Sequence, residues 1–489
     1  MHIVFAASEC SPWARTGGLG EVVGALPRQI VDLGHEVTVY LPYYRQVRER
    51  LVLEGAAERN VAVESITIPF QYYSRFVSIL DGGKTDGVQI YFVDCPEMFD
   101  RESLYAVPSG EYADNWERFG LFCRAVLEAT KQLGVPDVFH VHDWQAALIP
   151  VYLKTLYSND PALRNRATVL TIHNAGYQGL YPPQTTEKLL FPWEIFTMDR
   201  LEHYDKFNFL KGGMVYADLL TTVSPRYAQE IQTQEFGEGL DGVLRKRAAD
   251  LVGILNGVDY GKWNPAADGN IAAHYSPENL EGKAECRRDL LHAFGAGTVS
   301  DSTAVLGMVT RLATQKGIDL LEKIAPQLMQ DDVVLTVLGT GEVYYENFFR
   351  ALALEYPDRV MVKIAYDDML AHKVEAGSDM FLMPSHYEPC GLNQFYSLKY
   401  GTPPVVRGTG GLEDTVAEWH PETQQGTGFK FHGYKPEDFL AAIQRALAVF
   451  KDKPAWHQLM RNGMAQEYSW TRSAAEYVEV YERVARSKS

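Results

Sequence analysis

Short apolar runs, rich in β-branched residues, recur along the chain between longer stretches of mixed polarity. In the first half they fall at residues 3–7, 36–41, 89–93, 138–141, 169–172 and 219–223. Runs this short suit strands, and strands that are apolar on both alternating faces belong in parallel sheets covered by helices on each side. The stretch 251–259 predicts a further strand ending in a turn. Irregular Trp-Asn-Pro and Asp-Gly-Asn segments follow it, placing a hinge near residue 250. The alternation then restarts, with predicted strands at 304–310, 333–338, 360–364, 380–383 and 404–406. The expected fold class is therefore α/β, with two doubly wound parallel-sheet domains at 1–250 and 251–469. From Trp470 onward, Tyr477, Tyr481 and Val484 recur at helical spacing, which predicts an amphipathic last helix able to dock on a domain surface. Ligands of doubly wound sheets bind beyond the carboxyl ends of the strands, so the residues just after each run carry most weight.

Length supports the division, since 489 residues exceed one ordinary core at roughly 100–200 residues per domain. A formal net charge of −17 disfavours nucleic acid or an anionic membrane as the main partner, while allowing a local basic site for phosphate. Five scattered cysteines, Cys10, Cys95, Cys123, Cys286 and Cys390, form no Cys-x-x-Cys pair and suggest neither a disulfide framework nor a zinc site. The first residues reach a charge too early for a secretory signal, and no apolar run approaches the roughly 18 residues that span a bilayer. A cytoplasmic protein is expected.

The polar residues after the strands fall into groups. Arg15-Thr16-Gly17-Gly18-Leu19-Gly20-Glu21 follows the first strand, and its glycines would let backbone N–H groups approach an anion at a helix start, although a strand-to-helix turn needs small residues anyway. His140-Val141-His142-Asp143-Trp144 and His173-Asn174 put sugar-binding or charge-accepting side chains past two more strands. His140 and His142 have metal-like spacing but no third ligand nearby in the sequence. Arg311 and Lys316 set two cations beside a helix start, suited to a diphosphate leaving group. Glu388, in Ser385-His386-Tyr387-Glu388-Pro389-Cys390-Gly391-Leu392, and the Thr409-Gly410-Gly411 loop follow later strands. Cys390 reads as a packing residue rather than a nucleophile, having no base at a recognisable spacing. Many transferases neutralise phosphate with a metal held by Asp-x-Asp; the sequence contains none. Arg311, Lys316 and the glycine amides are expected to take that part, with no metal required and no other cofactor.

Taken in order, Thr16-Gly17-Gly18-Leu19, His142-Asp143-Trp144, His173-Asn174 with Gln178-Gly179, Leu255-Asn256-Gly257-Val258-Asp259, Arg311 with Gln315-Lys316-Gly317, Glu388-Pro389-Cys390-Gly391-Leu392 and Thr409-Gly410-Gly411-Leu412 resemble the bacterial glycogen synthase and plant starch synthase family over nearly the whole chain. The resemblance implies a GT-B architecture, with two Rossmann-like domains facing each other across a cleft and the C-terminal helix 470–489 returning to the first. It implies transfer of glucose from ADP-glucose to the non-reducing end of an α-1,4-glucan such as glycogen, with retention of configuration and release of ADP. By motif, Arg311 and Lys316 neutralise the diphosphate, and Gly18, Gly410 and Gly411 offer amides near it. His173 and Asn256 hold the glucose, Asp143 lies near the reacting face, and Glu388 binds the sugar and steadies the cationic transition state. Tyr366 stacks on adenine, while Arg15, Glu21, Cys390, Gly391, Leu392 and Thr409 complete the donor site.

Three positions depart from the family pattern: Arg15 replaces a usual Lys, Glu21 stands where Asp is common, and Tyr396 occupies the place of a second Glu found in the wider GT-B group. The alternatives from sequence are a retaining glucosyltransferase using UDP-glucose or another acceptor, and a non-catalytic glucan-binding protein. A phosphorylase ranks below both, for want of a recognisable pyridoxal-binding lysine motif.

Overall fold

Strand His2–Ala6 shows why the apolar runs become sheet interior: Ile3, Val4, Phe5 and Ala6 are all fully buried, so both of its faces are covered. The computed structural model describes residues 1–53, 60–107 and 110–488, so Ser489, the last residue of the tail predicted to be helical, lies outside them. The chain divides into two units, one of Met1–Val223, Ala228–Gly257 and Trp470–Ser489, the other of Ser224–Tyr227 and Val258–Ser469.

The first unit is built on a nine-stranded sheet. Its order from one edge is Leu251–Gly253, Leu219–Thr222, Ala167–Ile172, Val138–His142, His2–Ala6, Glu36–Pro42, Val88–Asp94, Ser74–Thr85 and Asn60–Pro69. The first seven pair in parallel, and the last two add in antiparallel fashion at one edge. The parallel sheet is as expected, and the antiparallel pair is an addition at its edge. Its outer strand is half exposed and breaks its alternation with two register shifts, so it lacks the continuous apolar run that marks a doubly covered strand. The strand predicted at 251–259 is also shorter, ending at Gly253. Beyond it the chain leaves the sheet, and Gly257 lies so close to Trp470 that a Cβ would stand 2.5 Å from its Cα.

The second unit carries a six-stranded parallel sheet ordered Val360–Ile364, Val333–Gly339, Ala304–Val309, Met380–Met383, Pro404–Arg407 and Phe429–Phe431. Side-chain alternation sorts its core into two layers. Ala304, Leu306 and Met308 join Val333, Leu335 and Val337 on one face, while Val305 and Val334 join Leu290 and Phe381 on the other. The last strand is missing from the sequence reading because three residues give no readable period.

In each sheet the chain starts centrally and reverses its direction of growth. The reversal lies between His2–Ala6 and Val138–His142 in the first unit and between Ala304–Val309 and Met380–Met383 in the second. Loops leaving two neighbouring strands there diverge to opposite faces and open a crevice at the strand ends.

The last helix, Trp470–Arg486, belongs to the first unit. Its buried Trp470, Ser473, Ala474, Tyr477, Val480, Tyr481 and Val484 form a single stripe. The Tyr481 hydroxyl hydrogen-bonds His140 Nδ1 at 2.8 Å, and His140 Nε2 meets Thr171 Oγ1 at 2.6 Å. His140 is thus a satisfied core histidine held neutral by burial, which accounts for half of the metal-like pair. Tyr481→Phe strips one partner from a fully buried ring nitrogen. The expected cost is about 1–3 kcal/mol, read as a fall in the unit's thermal midpoint of about 2–4 °C per kcal/mol; an unchanged midpoint would show that the bond carries no net stability.

Candidate functional site

In the second unit the loops after Ala304–Val309 and Met380–Met383 are stitched together. Gly317 adopts φ +71°, and any Cβ there would collide with the Pro384 carbonyl, so only glycine lets the two loops approach this closely. Across the contact His386 N–H donates to Gln315 O at 2.8 Å and Gln315 Nε2 donates to Tyr387 O at 3.2 Å. The result is an ion pair at the strand ends: Lys316 Nζ donates to Glu388 Oε2 at 2.6 Å, and Ser385 Oγ donates to the same oxygen at 2.9 Å. Glu388 is buried and Lys316 about one-fifth exposed, so the carboxylate is shielded while the ammonium still reaches outward. An ammonium has three donors, and one is engaged by Glu388.

Gly410 and Gly411 have a structural part of their own. Gly410 sits at φ +46°, Cβ atoms at both positions would collide with the Glu388 and Cys390 carbonyls, and the Gly411 amide donates to Glu388 O and Pro389 O at 3.1 and 3.2 Å. The Gly411 amide is therefore committed within the chain, and this pair of glycines braces the turn that presents Glu388. Thr409 is buried at the start of their helix. Cys390 is buried and in no disulfide, its carbonyl accepts from Gln394 Nε2 at 2.9 Å, Gly391 holds φ +75°, and Leu392 precedes helix Asn393–Lys399. Arg311 is exposed and donates to Gln315 Oε1 at 3.3 Å. Tyr366 stands 75% exposed just past Val360–Ile364.

The first unit assembles its own set. Glu9, which sequence reasoning passed over, is buried after the first strand. It accepts from Thr16 N (2.6 Å), Thr16 Oγ1 (2.7 Å), Gly17 N (3.2 Å) and the Tyr105 hydroxyl (2.7 Å). A buried carboxylate with four donors fixes the glycine loop. The available signal was a charged residue directly following an apolar strand. Arg15 forms an ion pair with Glu21, whose helix, Gly18–Asp32, opens at Gly18. A Cβ at Gly17 or Gly18 would meet nothing within 4 Å, and Gly17 has extended φ, so neither glycine is demanded by its own neighbours.

Asp143, at φ +53°, accepts the His173 N–H at 2.7 Å, and burial lifts its carboxyl to about 7 against the opposing pull of the His173 and Asn174 amides. His173 Nε2 pairs with His142 Nδ1 at 3.0 Å, and burial lowers the His173 ring to about 3, so it is a neutral polar group at neutral pH. Asn256 is buried, and its Oδ1 has no hydrogen-bond partner among the described residues. Among those residues no three His, Cys, Asp or Glu side chains gather as a metal site, and no helix is long and apolar enough to cross a membrane.

Comparison with known proteins gives a consistent result. Residues 2–246 match the family model for the starch synthase catalytic domain, and residues 295–462 match that for glycosyl transferases group 1. The chain is 56% identical to the glycogen synthase of Koribacter versatilis, over 99% of this chain and 98% of that protein. It is 45% identical to the glycogen synthase of Thermotoga maritima, over 99% of each. Among solved structures, the catalytic domain of Starch Synthase IV from Arabidopsis thaliana, bound to ADP and acarbose, aligns with a TM-score of 0.89 at 30% identity, over 99% of both chains. Sucrose-phosphate synthase from Thermosynechococcus elongatus shares the fold, at a TM-score of 0.60 and 15% identity over 99% of both chains.

Two expected outcomes follow from this geometry. Gly18→Ala leaves thermal stability unchanged and raises the KM of whatever anionic ligand approaches the loop, whereas Gly411→Ala destabilises the second unit by about 1–3 kcal/mol through overpacking; equal losses of stability would remove the distinction. For Asp143, between about pH 4 and pH 7 the folded chain retains a proton the unfolded chain has lost, so stability falls as pH rises through that window. Denaturant titrations should therefore show Asp143→Asn gaining on the unmodified protein from pH 4 to 7 and levelling off above; a pH-independent difference would mean the carboxyl is not raised.

Proposed function

This chain belongs to the glycogen synthase family of GT-B glycosyltransferases, and from that premise we propose that it moves glucose from ADP-glucose to the non-reducing end of an α-1,4-glucan, with retention of configuration and without a metal ion. The observation that carries the reading is the Lys316–Glu388 pair at the switch point of the second sheet. A glucosyl donor must lose a diphosphate dianion while its anomeric carbon becomes cationic. A fixed ammonium beside a fixed carboxylate opposes both developing charges, and being preorganised it costs no reorganisation as the reaction proceeds.

In this reading Lys316 and Arg311 take the diphosphate, Glu388 lies against the glucose, and the exposed Tyr366 ring stacks on the base. His173, kept neutral, and Asn256, with its unpartnered Oδ1, suit uncharged hydroxyl groups rather than phosphate. The bond from the anomeric carbon to the diphosphate oxygen breaks. The acceptor hydroxyl then bonds that carbon on the same face, and its proton passes to the departing diphosphate. No protein nucleophile is required. The five cysteines are buried and none is in a disulfide, which suits a cytosolic enzyme.

The test is nucleotide release from ADP-glucose and UDP-glucose with glycogen added, in the presence and absence of EDTA. Glycogen-dependent, EDTA-resistant ADP release is expected, with Lys316→Ala and Glu388→Ala each lowering kcat by about 10²–10³. Release of UDP alone would move the donor assignment, EDTA sensitivity would overturn the metal-free site, and glycogen binding without any release would make the chain a binding protein.

A further inference from the structure

Glu388 sits on a turn that two short helices hold. Helix Asn393–Lys399 follows the turn directly, and its Gln394 Nε2 donates back to Cys390 O at 2.9 Å. Helix Gly410–Thr415 begins at the glycines that brace the turn, with the Gly411 N–H on Glu388 O at 3.1 Å. With seven and six residues, the two helices are only about 10 Å long. Elements this short and closely packed move as rigid pieces, so a shift imposed at the far end of either arrives at the Glu388 turn.

The long part of the second unit begins at Val258 and ends at Ser469, where the chain joins it to the first unit. These two segments are paired with each other. Val258 N–H donates to Tyr468 O at 2.7 Å, Val258 bridges Ser469, and Tyr468 N–H donates to the Tyr260 hydroxyl at 3.0 Å. Their side chains reach the far ends and flanks of both helices. The Tyr468 hydroxyl donates at 3.0 Å to the carbonyl of Thr415, the last residue of Gly410–Thr415. The Tyr468 ring lies 4.9 Å from that of Phe395, in Asn393–Lys399, and Lys399 Nζ at the end of that helix stands 4.4 Å over the Tyr260 ring.

The entering segment adds two further holds. Trp263 is sandwiched between His372 and Tyr396, with ring centroids 3.8 Å apart and planes within 6° on both sides. Asp268 Oδ2 accepts the Tyr400 hydroxyl and lies 2.7 Å from His372 Nδ1. Helix Asn393–Lys399 and the residue after it thus meet the entering segment at Tyr396, Lys399 and Tyr400, and the leaving one at Phe395. Tyr396, which stands where the wider GT-B group has a second Glu, has its ring committed to this stack. Tyr468 touches both helices, and those helices hold the turn from either side.

We propose that Tyr468 is a positioning residue for Glu388: through Thr415 and Phe395 it sets the two helices, and the helices set the carboxylate against the sugar. The proposal rests on the glycosyltransferase reading above, in which Glu388 lies against the glucose. Tyr468 makes and breaks no bond in the transfer. Because its backbone is tied to Val258 and Tyr260, the placement of Glu388 depends on the two segments that join this unit to the rest of the chain.

The test uses Tyr468→Phe in the full-length protein, which removes the bond to Thr415 O and keeps the ring against Phe395. Its kcat with ADP-glucose and glycogen should fall about tenfold, since misplacing a group near the reacting atoms by a fraction of an ångström is enough. In a Glu388→Ala background the same substitution should change the residual turnover by less than about twofold, because the carboxylate it displaces is gone. Amide hydrogen exchange, read by mass spectrometry over peptides containing Gly411, needs no turnover. Exchange at Gly411 should be about fivefold faster in Tyr468→Phe than in the unmodified protein. An unchanged kcat, an equal loss in both backgrounds, or an unchanged exchange rate would overturn the assignment. The two readings fail separately. If the chain releases no nucleotide, the transferase falls and exchange at Gly411 still decides whether Tyr468 sets the turn; an active enzyme in which neither kcat nor exchange responds keeps the transferase and loses the positioning residue.

Discussion

The second unit depends on one close approach, the contact of the Lys316 loop with the loop leading to Glu388. An ammonium and a buried carboxylate are costly to hold together unless each has a fixed partner. The chain supplies that fixity through backbone rather than side chains: Gly317 against Pro384, and Gly410 and Gly411 against the Glu388 turn. These glycines are required by contact inside the protein. Those at Gly17 and Gly18 are not, and the difference separates residues that build a site from residues that leave room for what enters it.

The electrostatic character of the two units differs in kind. In the second, the groups at the strand ends are charged and paired. In the first, alongside the Arg15–Glu21 pair and the Glu9 carboxylate, burial pushes the histidines down and the Asp143 carboxyl up. Neutral hydrogen-bonding groups discriminate among hydroxyls without attracting phosphate, whereas the paired charges respond to charge that develops.

Much of the architecture was legible in the sequence because strands buried on both faces are apolar throughout, as at Ile3–Ala6 and Val333–Val337. The antiparallel edge was not, since its outer strand is half exposed and irregular, and neither was a small sheet within 173–208, whose strands are too short to show a period. At the site, residue types after strand ends pointed to Lys316, Glu388, Asp143 and His173, and the structure pairs the first two and joins the last two. Glu9 escaped because its meaning lies in four donors spread from Thr16 to Tyr105, a relation no linear spacing displays. The bracing contact of Gly411 with the Glu388 turn was hidden for a related reason: a glycine pair at a helix start looks alike whether it faces a ligand or a neighbouring carbonyl.

The last helix carries a consequence for biosynthesis. Its apolar stripe completes the interior of the unit whose other strands are made first, and Tyr481 closes the hydrogen bonding of a histidine from far earlier in the chain. At a synthesis rate of about 5–20 residues per second, the growing polypeptide passes through the whole of the second unit while the first still lacks its covering. The nascent chain thus carries an open apolar surface and an unpartnered ring nitrogen until residues 470–486 have been made, and any product shortened before them keeps both.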